Sequence, residues 1–429
     1  PNKVILHLQK AGQADAHVTY HELITQSAKY ARALEQNGVA PGEVVILILQ
    51  HSLDLVYAYF GVVLLGAVPS IMPFLTEKLL PEKYRHDLNS LIEITQPAAI
   101  ITYEEFKPEI YSFLERGAIK AILLSEEFDS WKSFDFSDDF FLGLNKDPHD
   151  IVLLQHSSGT TGLQKGVALS HTAVFNQLIS YEKAIQLEEN DVIVSWLPLY
   201  HDMGLIASFL MPILSGTPLV LMSPFDWVRA PHKLMHAISE YEGTLCWLPN
   251  FAYNFCAKKI RESDLQDVDL SSLRAVINCS EPMRYESHQM FFERFRGYGL
   301  KESALATSYA MAENVFAVTQ DGIGKAVTYD QIDLEKFQHE KIAEPVKDDS
   351  LKAVMVSAGA PIDFTQIRII NDKGEELPER HLGEILIKSN CMLTEYYLRP
   401  EETRKSFVDG WFKTGDLGYM ANGELYISG

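Results

Sequence analysis

Apolar and polar positions along the chain follow the two periods of a layered α/β protein. Thr19 and Glu22 form a capping-box pair ahead of a helix running to about Gln36, with Leu23, Ser27, Tyr30, Ala31 and Leu34 on one face. Gly38 and Gly42 turn the chain into an apolar run over 44–49, the pattern of a strand covered on both faces, as in parallel sheets. A return helix is predicted over 53–65, then strands over 98–103, 119–124 and 151–154, with a helix over 106–115. Residues 78–89 form a polar connection to which the pattern assigns no element. Beyond it, strands are predicted over 191–196, 219–222, 244–248 and 273–278. Helices are predicted over 172–184, 205–214, 231–241, 250–259 and 284–296. This alternation predicts the α/β class, with two sheets for a chain of this length.

Near Val318 the texture changes. Residues 321–350 are polar and charged, with no strand pattern and room for one short helix. After 351 come short strands, over 351–357, 366–371 and 383–388, and a pair across the Asn422-Gly423 turn. They predict a small antiparallel barrel or sheet. The expected division is an α/β subdomain over 1–170, a second over 171–320, an insertion over 321–350 and a β-rich subdomain over 351–429. The sequence stops directly after a strand, which predicts further protein beyond Gly429.

The net charge of −21 on 429 residues argues against a basic face for nucleic acid, so a bound nucleotide would need local donors and a metal. The cysteines Cys246, Cys256, Cys279 and Cys391 form no CxxC pair, which argues against structural zinc and fits a reducing cytoplasm. No uninterrupted apolar run is long enough for a membrane helix, so stable membrane insertion is not expected.

The chemistry gathers in a loop after the 151–154 strand: Ser157, Ser158, Gly159, Thr160, Thr161, Gly162, Lys165 and Gly166. Its glycines allow close backbone approach, its hydroxyls and N–H groups can donate to phosphate oxygens, and Lys165 adds a mobile charge. Gly166 follows the lysine where a P-loop needs Ser or Thr, so this is a different polyphosphate loop. Five further islands stand out. They are Trp196 to Gly204 (with His201), Trp247 to Tyr253, Asn278-Cys279-Ser280-Glu281-Pro282, Ser308 to Asn314, and Trp411 to Tyr419. Read alone, these residues are also compatible with a polar surface loop, a core histidine, solvated carboxylates and core aromatics.

In their order and wording these islands resemble the adenylate-forming superfamily of acyl-CoA synthetases, firefly luciferase and peptide-synthetase adenylation domains. The resemblance spans essentially the whole chain, as the large N-terminal part of such an enzyme. It implies activation of a carboxylic acid with ATP and Mg²⁺ to an acyl-AMP, with release of pyrophosphate. By the same resemblance, 157–166 grips the β- and γ-phosphates, and Ser280, Glu281 and Pro282 wall the adenine. Tyr309 stacks on the adenine, Asp416 binds the ribose hydroxyls, Glu313 is the Mg²⁺ ligand, and His201 lies near the α-phosphate. Lys165, His201 and Glu313 are the implied catalytic residues. Gln164, Ala310 and Ala312 depart from the usual proline, glycine and threonine, which keeps open a silent nucleotide-binding module.

Within the superfamily, Leu197 to Leu205 and Pro249 to Tyr253 resemble segments of fatty acyl-AMP ligases, and 321–350 matches the place of their insertion. That likeness implies a medium- or long-chain fatty acid, transferred to the phosphopantetheine thiol of an acyl carrier protein. The alternative is CoA as acceptor, in an acyl-CoA or aryl-CoA synthetase. Met203, Gly204, Leu205, Phe209, Asn250 and Phe251 are the expected acyl-pocket residues. The superfamily's C-terminal lysine is absent from the sequence, so weak turnover is expected of this chain alone.

Overall fold

The computed structural model describes residues 1–10, 12–74, 81–115, 117, 119–130, 140–157, 165–346 and 351–428. The fold is α/β, and the chain forms two compact units.

The first unit comprises Pro1–Phe175, Pro198–Asp202 and Leu393–Pro400. Its sheet runs in the order Glu395–Tyr396, Lys165–Ser170, Ile151–Ser157, Val68–Ile71, Val44–Leu47, Ala99–Thr102, Ala121–Leu124. From Ile151–Ser157 onward the strands are parallel, and the first three are antiparallel. Val44–Leu47 is wholly buried, as its unbroken apolar run requires. Thr19 caps the helix Tyr20–Gln36 by accepting from the Glu22 N–H at 3.2 Å. That helix packs on Leu53–Leu65, where a Cβ at Gly61 would stand 2.5 Å from Tyr30 Cβ. Only glycine allows so close a crossing.

The second unit comprises Asn176–Leu197, Met203–Met392 and Glu401–Gly429. Parallel strands Leu219–Met222, Ile193–Ser195, Leu245–Leu248, Ala275–Asn278 and Leu305–Ala310 lie side by side in that order. They continue into antiparallel strands Ala317–Asp321, Lys352–Pro361, Glu424–Ile427, Trp411–Ala421, Gly383–Lys388 and Gln366–Ile370. The Asn422-Gly423 turn joins Trp411–Ala421 to Glu424–Ile427 with both residues at positive φ, 54° and 78°.

Several expectations change. The β-rich part is an open sheet, with no barrel closure among the described residues. Segment 321–350 holds a strand after all, Tyr329–Asp333, paired antiparallel with Lys352–Pro361, and the helix Leu334–Glu340. Its alternation was hidden because Asp330 takes a buried position against Arg380 and Tyr419 rather than facing water. The polar stretch at 78–89 belongs largely to the helix Pro81–Thr95. The helix expected over 205–214 begins as a π-helical turn, Met203–Leu210, with every residue buried. The strand Lys165–Ser170, to which no element had been assigned, precedes the helix His171–Ala184. Among the described residues no helix is long and apolar enough to cross a membrane.

Candidate active site

In the first unit, the antiparallel pair Ile151–Ser157 and Lys165–Ser170 brings Ser157 opposite Lys165. The hydroxyl-rich loop is therefore rooted on two adjacent strand ends. Ser158, Gly159, Thr160, Thr161 and Gly162 lie outside the described residues. The Lys165 ammonium stands 4.6 Å from the centre of the buried Tyr396 ring, a cation–π contact. The Gly166 carbonyl accepts from the Tyr397 N–H at 2.8 Å, which fixes the strand at the loop's exit. His201 caps a short turn, its N–H donating to the Pro198 carbonyl, with its ring 4.9 Å from that of Tyr200. Desolvation by the surrounding protein lowers its pKa, although the residue is exposed at the surface.

In the second unit, Tyr309 is the penultimate residue of the strand Leu305–Ala310 and Asp416 lies in Trp411–Ala421. The Tyr309 hydroxyl donates to Asp416 at 2.5 Å. Burial raises the Asp416 carboxyl above its ordinary range, and the hydrogen bond from Tyr309 partly opposes this. Burial, followed by the Asp416 charge, raises the Tyr309 hydroxyl well above its usual value.

Glu313 is buried and close enough to Tyr309 to interact electrostatically with it. It is held by an unusual turn: Val315 has φ 62° and ψ −54°, and the Phe316 N–H donates to the Asn314 carbonyl at 2.7 Å. This is a positive-φ γ-turn, strained for a β-branched residue. Asn314 secures it, donating to the Ala317 carbonyl and accepting from the Ser389 hydroxyl.

The 280–284 segment leaves the strand Ala275–Asn278 with Ser280 at φ 67°. Ser280, Glu281 and Pro282 are exposed. The Glu281 carboxylate accepts from the Phe251 N–H at 2.9 Å, and the Ser280 hydroxyl lies 3.9 Å from the Met203 sulfur. Residues expected at the adenine thus touch two expected at the acyl chain. Met203, Gly204, Leu205 and Phe209 are buried in the π-helical turn, while Phe251 is half exposed. Phe251 packs edge-on against Trp196 and Trp227, whose rings stack 3.6 Å apart. Asn250 is buried and hydrogen-bonded to Asn278, Arg284 and Ser287.

No group of three or more His, Cys, Asp or Glu able to hold a metal occurs among the described residues. Nucleotide-bound Mg²⁺ takes one or two carboxylates and draws its other ligands from phosphate and water. The single buried Glu313 fits that demand. The exposed 280–284 segment and the Tyr309–Asp416 pair offer an apolar ring and a carboxylate suited to a nucleoside.

The model of the family described as AMP-binding enzyme matches residues 1–397. The chain belongs to the AMP-binding enzyme family. Among its AMP-binding relatives is a putative acyl-CoA synthetase of Caulobacter vibrioides, 28% identical over 97% of this chain and 72% of the relative. Another is a medium-chain-fatty-acid–[acyl-carrier-protein] ligase of Moorena producens, 28% identical over 100% of this chain and 74% of the relative. A solved fatty acyl-adenylate ligase from L. pneumophila, in complex with acyl adenylate and pyrophosphate, is similar with a TM-score of 0.87 and 29% identity. That match covers 100% of this chain and 74% of that one.

Sequence reasoning missed several residues next to the candidate residues in each unit. Tyr396, which holds Lys165, lies far along the chain and carries no motif. His156, just before the loop, sits 2.6 Å from the buried Ser70 hydroxyl, and burial pushes its pKa down to about 4. Its place beside Ser157 was the available signal. Ser389 and Val315 act through backbone geometry, which no residue pattern announces.

Proposed function

We propose that this protein activates a medium- or long-chain carboxylic acid with ATP and Mg²⁺, forming acyl-AMP and pyrophosphate, for transfer to an acyl carrier protein. The observation carrying this reading is the grouping of Tyr309, Asp416 and Glu313 in one unit of an AMP-binding family member. The fatty-acid relatives supply the substrate class.

In the reaction the acid's carboxylate oxygen attacks the α-phosphorus, a new P–O bond forms, and the bond to pyrophosphate breaks. No protein nucleophile is required. Negative charge grows on phosphoryl oxygens, so fixed donors and cations lower the barrier. Tyr309 packs against the adenine, Asp416 accepts from the ribose hydroxyls, and Lys165 with the 157–166 loop meets the β- and γ-phosphates. His201 donates one N–H near the α-phosphate. Mg²⁺, held by Glu313 when bound, supplies Lewis-acid charge neutralisation. Met203, Gly204, Leu205, Phe209, Asn250 and Phe251 form the acyl end, and the 321–350 insertion belongs to the carrier-protein mode of transfer. Four buried cysteines, none in a disulfide among the described residues, fit a reducing cytoplasm.

A second reading, CoA as acceptor, is favoured by the acyl-CoA synthetase relative. The full-length protein should be given acids of graded chain length, with CoA or with phosphopantetheinylated carrier protein, and its thioesters quantified. Carrier-protein thioester without acyl-CoA supports the proposal. Efficient acyl-CoA formation replaces it with the second reading. ATP binding without any acyl-adenylate indicates a silent nucleotide-binding module.

A further inference from the structure

We infer that the strand Tyr329–Asp333 is a strut that positions both nucleoside-contacting segments of the site. This inference rests on the proposed adenine role of 280–284 and the proposed ribose role of Asp416. It gives the polar 321–350 stretch a part in nucleotide selection.

Adjacent residues of a strand point to opposite faces. Tyr329 and Asp330 use those two faces for two buried polar chains. On one side the Tyr329 hydroxyl lies 3.2 Å from His288 Nδ1. His288 is wholly buried, and its Nε2 lies 2.9 Å from Asn278 Nδ2. Because the Asn278 amide donates there, His288 Nε2 accepts and Nδ1 carries the proton toward Tyr329. The same Asn278 amide donates to Asn250 Oδ1 at 3.1 Å, and Asn250 Oδ1 also accepts from the Arg284 N–H at 3.1 Å. Ser287 takes the Asn250 amide at 3.1 Å. The chain of contacts therefore runs from Tyr329 to both ends of the segment containing Ser280, Glu281 and Pro282. That segment needs such support, since Ser280 sits at positive φ and its neighbours are exposed.

On the other side, Asp330 accepts from Arg380 Nη1 at 2.9 Å and from the Tyr419 hydroxyl at 2.9 Å. Arg380 Nη1 also donates to the Ala343 carbonyl. Tyr419 stands three residues beyond Asp416 on the same strand and is wholly buried, stacked on Tyr426 at 4.9 Å. Ile332, Ala343, Tyr419, Ala421 and Tyr426 form one buried cluster. Asp330 thus sets the lateral position of the strand that presents Asp416. Tyr329 and Asp330 are positioning residues: neither is assigned a contact with the nucleotide.

Two isosteric variants separate the two arms. Tyr329→Phe removes the acceptor for His288, and Tyr419→Phe removes one donor to Asp330 while keeping the Arg380 pair. The measurement is nucleotide selectivity of the full-length protein: kcat/KM and equilibrium binding for ATP, GTP and 2′-deoxy-ATP, alongside KM for the acid. A lost hydrogen bond in such a chain changes affinity by roughly fivefold to tenfold. Tyr329→Phe is expected to narrow the preference for ATP over GTP by that factor and leave the 2′-deoxy ratio unchanged. Tyr419→Phe is expected to do the reverse. Tyr419→Phe should leave KM for the acid unchanged. The nitrogen chemical shifts of His288 provide a second readout, with the Nδ1–H tautomer in the parent and a mixture in Tyr329→Phe.

Equal loss toward all three nucleotides, or a lowered melting temperature with unchanged selectivity, would overturn the strut. Asp416→Asn serves as the control for the underlying reading. If Asp416→Asn leaves the 2′-deoxy ratio unchanged, the ribose assignment fails. If it changes that ratio while Tyr419→Phe does not, the strut alone fails.

Discussion

The residues proposed to meet the nucleoside and those proposed to meet the phosphates are held in different ways. Tyr309, Asp416 and Glu313 are each buried or half-buried. They are fixed by direct hydrogen bonds, a strained γ-turn and strand register within the second unit. Lys165 and His201, in the first unit, each have an aromatic neighbour, and the His201 N–H closes a short turn. The contrast follows from the ligand parts. A base and a sugar are recognised by shape and hydrogen-bond pattern, which reward rigid groups. A polyphosphate is recognised by charge, which a mobile ammonium on a flexible stem can follow from substrate to leaving pyrophosphate.

The sharpest way to break this comparison is at Glu313. Glu313→Gln keeps the shape and removes the charge, and acyl-adenylate formation at saturating Mg²⁺ should fall on the order of 10²–10³-fold. A Mg²⁺ titration of the initial rate checks it, and an unchanged Mg²⁺ dependence would remove the ligand assignment. Lys165→Ala should cost less, on the order of 10–10²-fold, because a mobile charge contributes less than a fixed ligand. Lys165→Arg should retain the stacking on Tyr396 and recover part of the rate. The check is kcat in both variants.

Asp416 tests the preorganised side through its pKa. Burial holds its carboxyl above the ordinary 3.8, so the folded state binds that proton more tightly than the unfolded chain. The associated stability is fully present below about pH 3.8 and is lost as pH rises through the folded value. Asp416→Asn removes that loss. Its melting temperature should exceed the parent's at neutral pH and converge with it in acid, while ATP binding weakens about tenfold. Thermal melts across pH and equilibrium binding check both halves. The smallest effect is expected at half-exposed Phe251. Phe251→Ala should shift the preferred acid by one or two methylenes, each worth about fourfold in kcat/KM. A chain-length series checks it.

The parallel strands were legible because a strand buried on both faces must be apolar throughout, as Val44–Leu47 is. Local chemistry also read correctly at Thr19 and at Asn422-Gly423, where the capping and turn rules act within a few residues. Tyr329–Asp333 was illegible because its polar residues are buried against distant partners, His288, Arg380 and Tyr419, which no local window contains. The motif islands singled out Tyr309, Glu313 and Asp416 as candidates. They could not announce that Tyr309 donates to Asp416 or that Val315 bends the chain under Glu313, since both depend on three-dimensional placement.

The most direct test of the account is acid-dependent exchange of labelled pyrophosphate into ATP by the full-length protein. Exchange that requires Mg²⁺ and a medium- or long-chain acid, and collapses in Glu313→Gln, is the predicted result. Exchange absent with every acid, despite measurable ATP binding, would contradict the claim that this site makes an acyl adenylate.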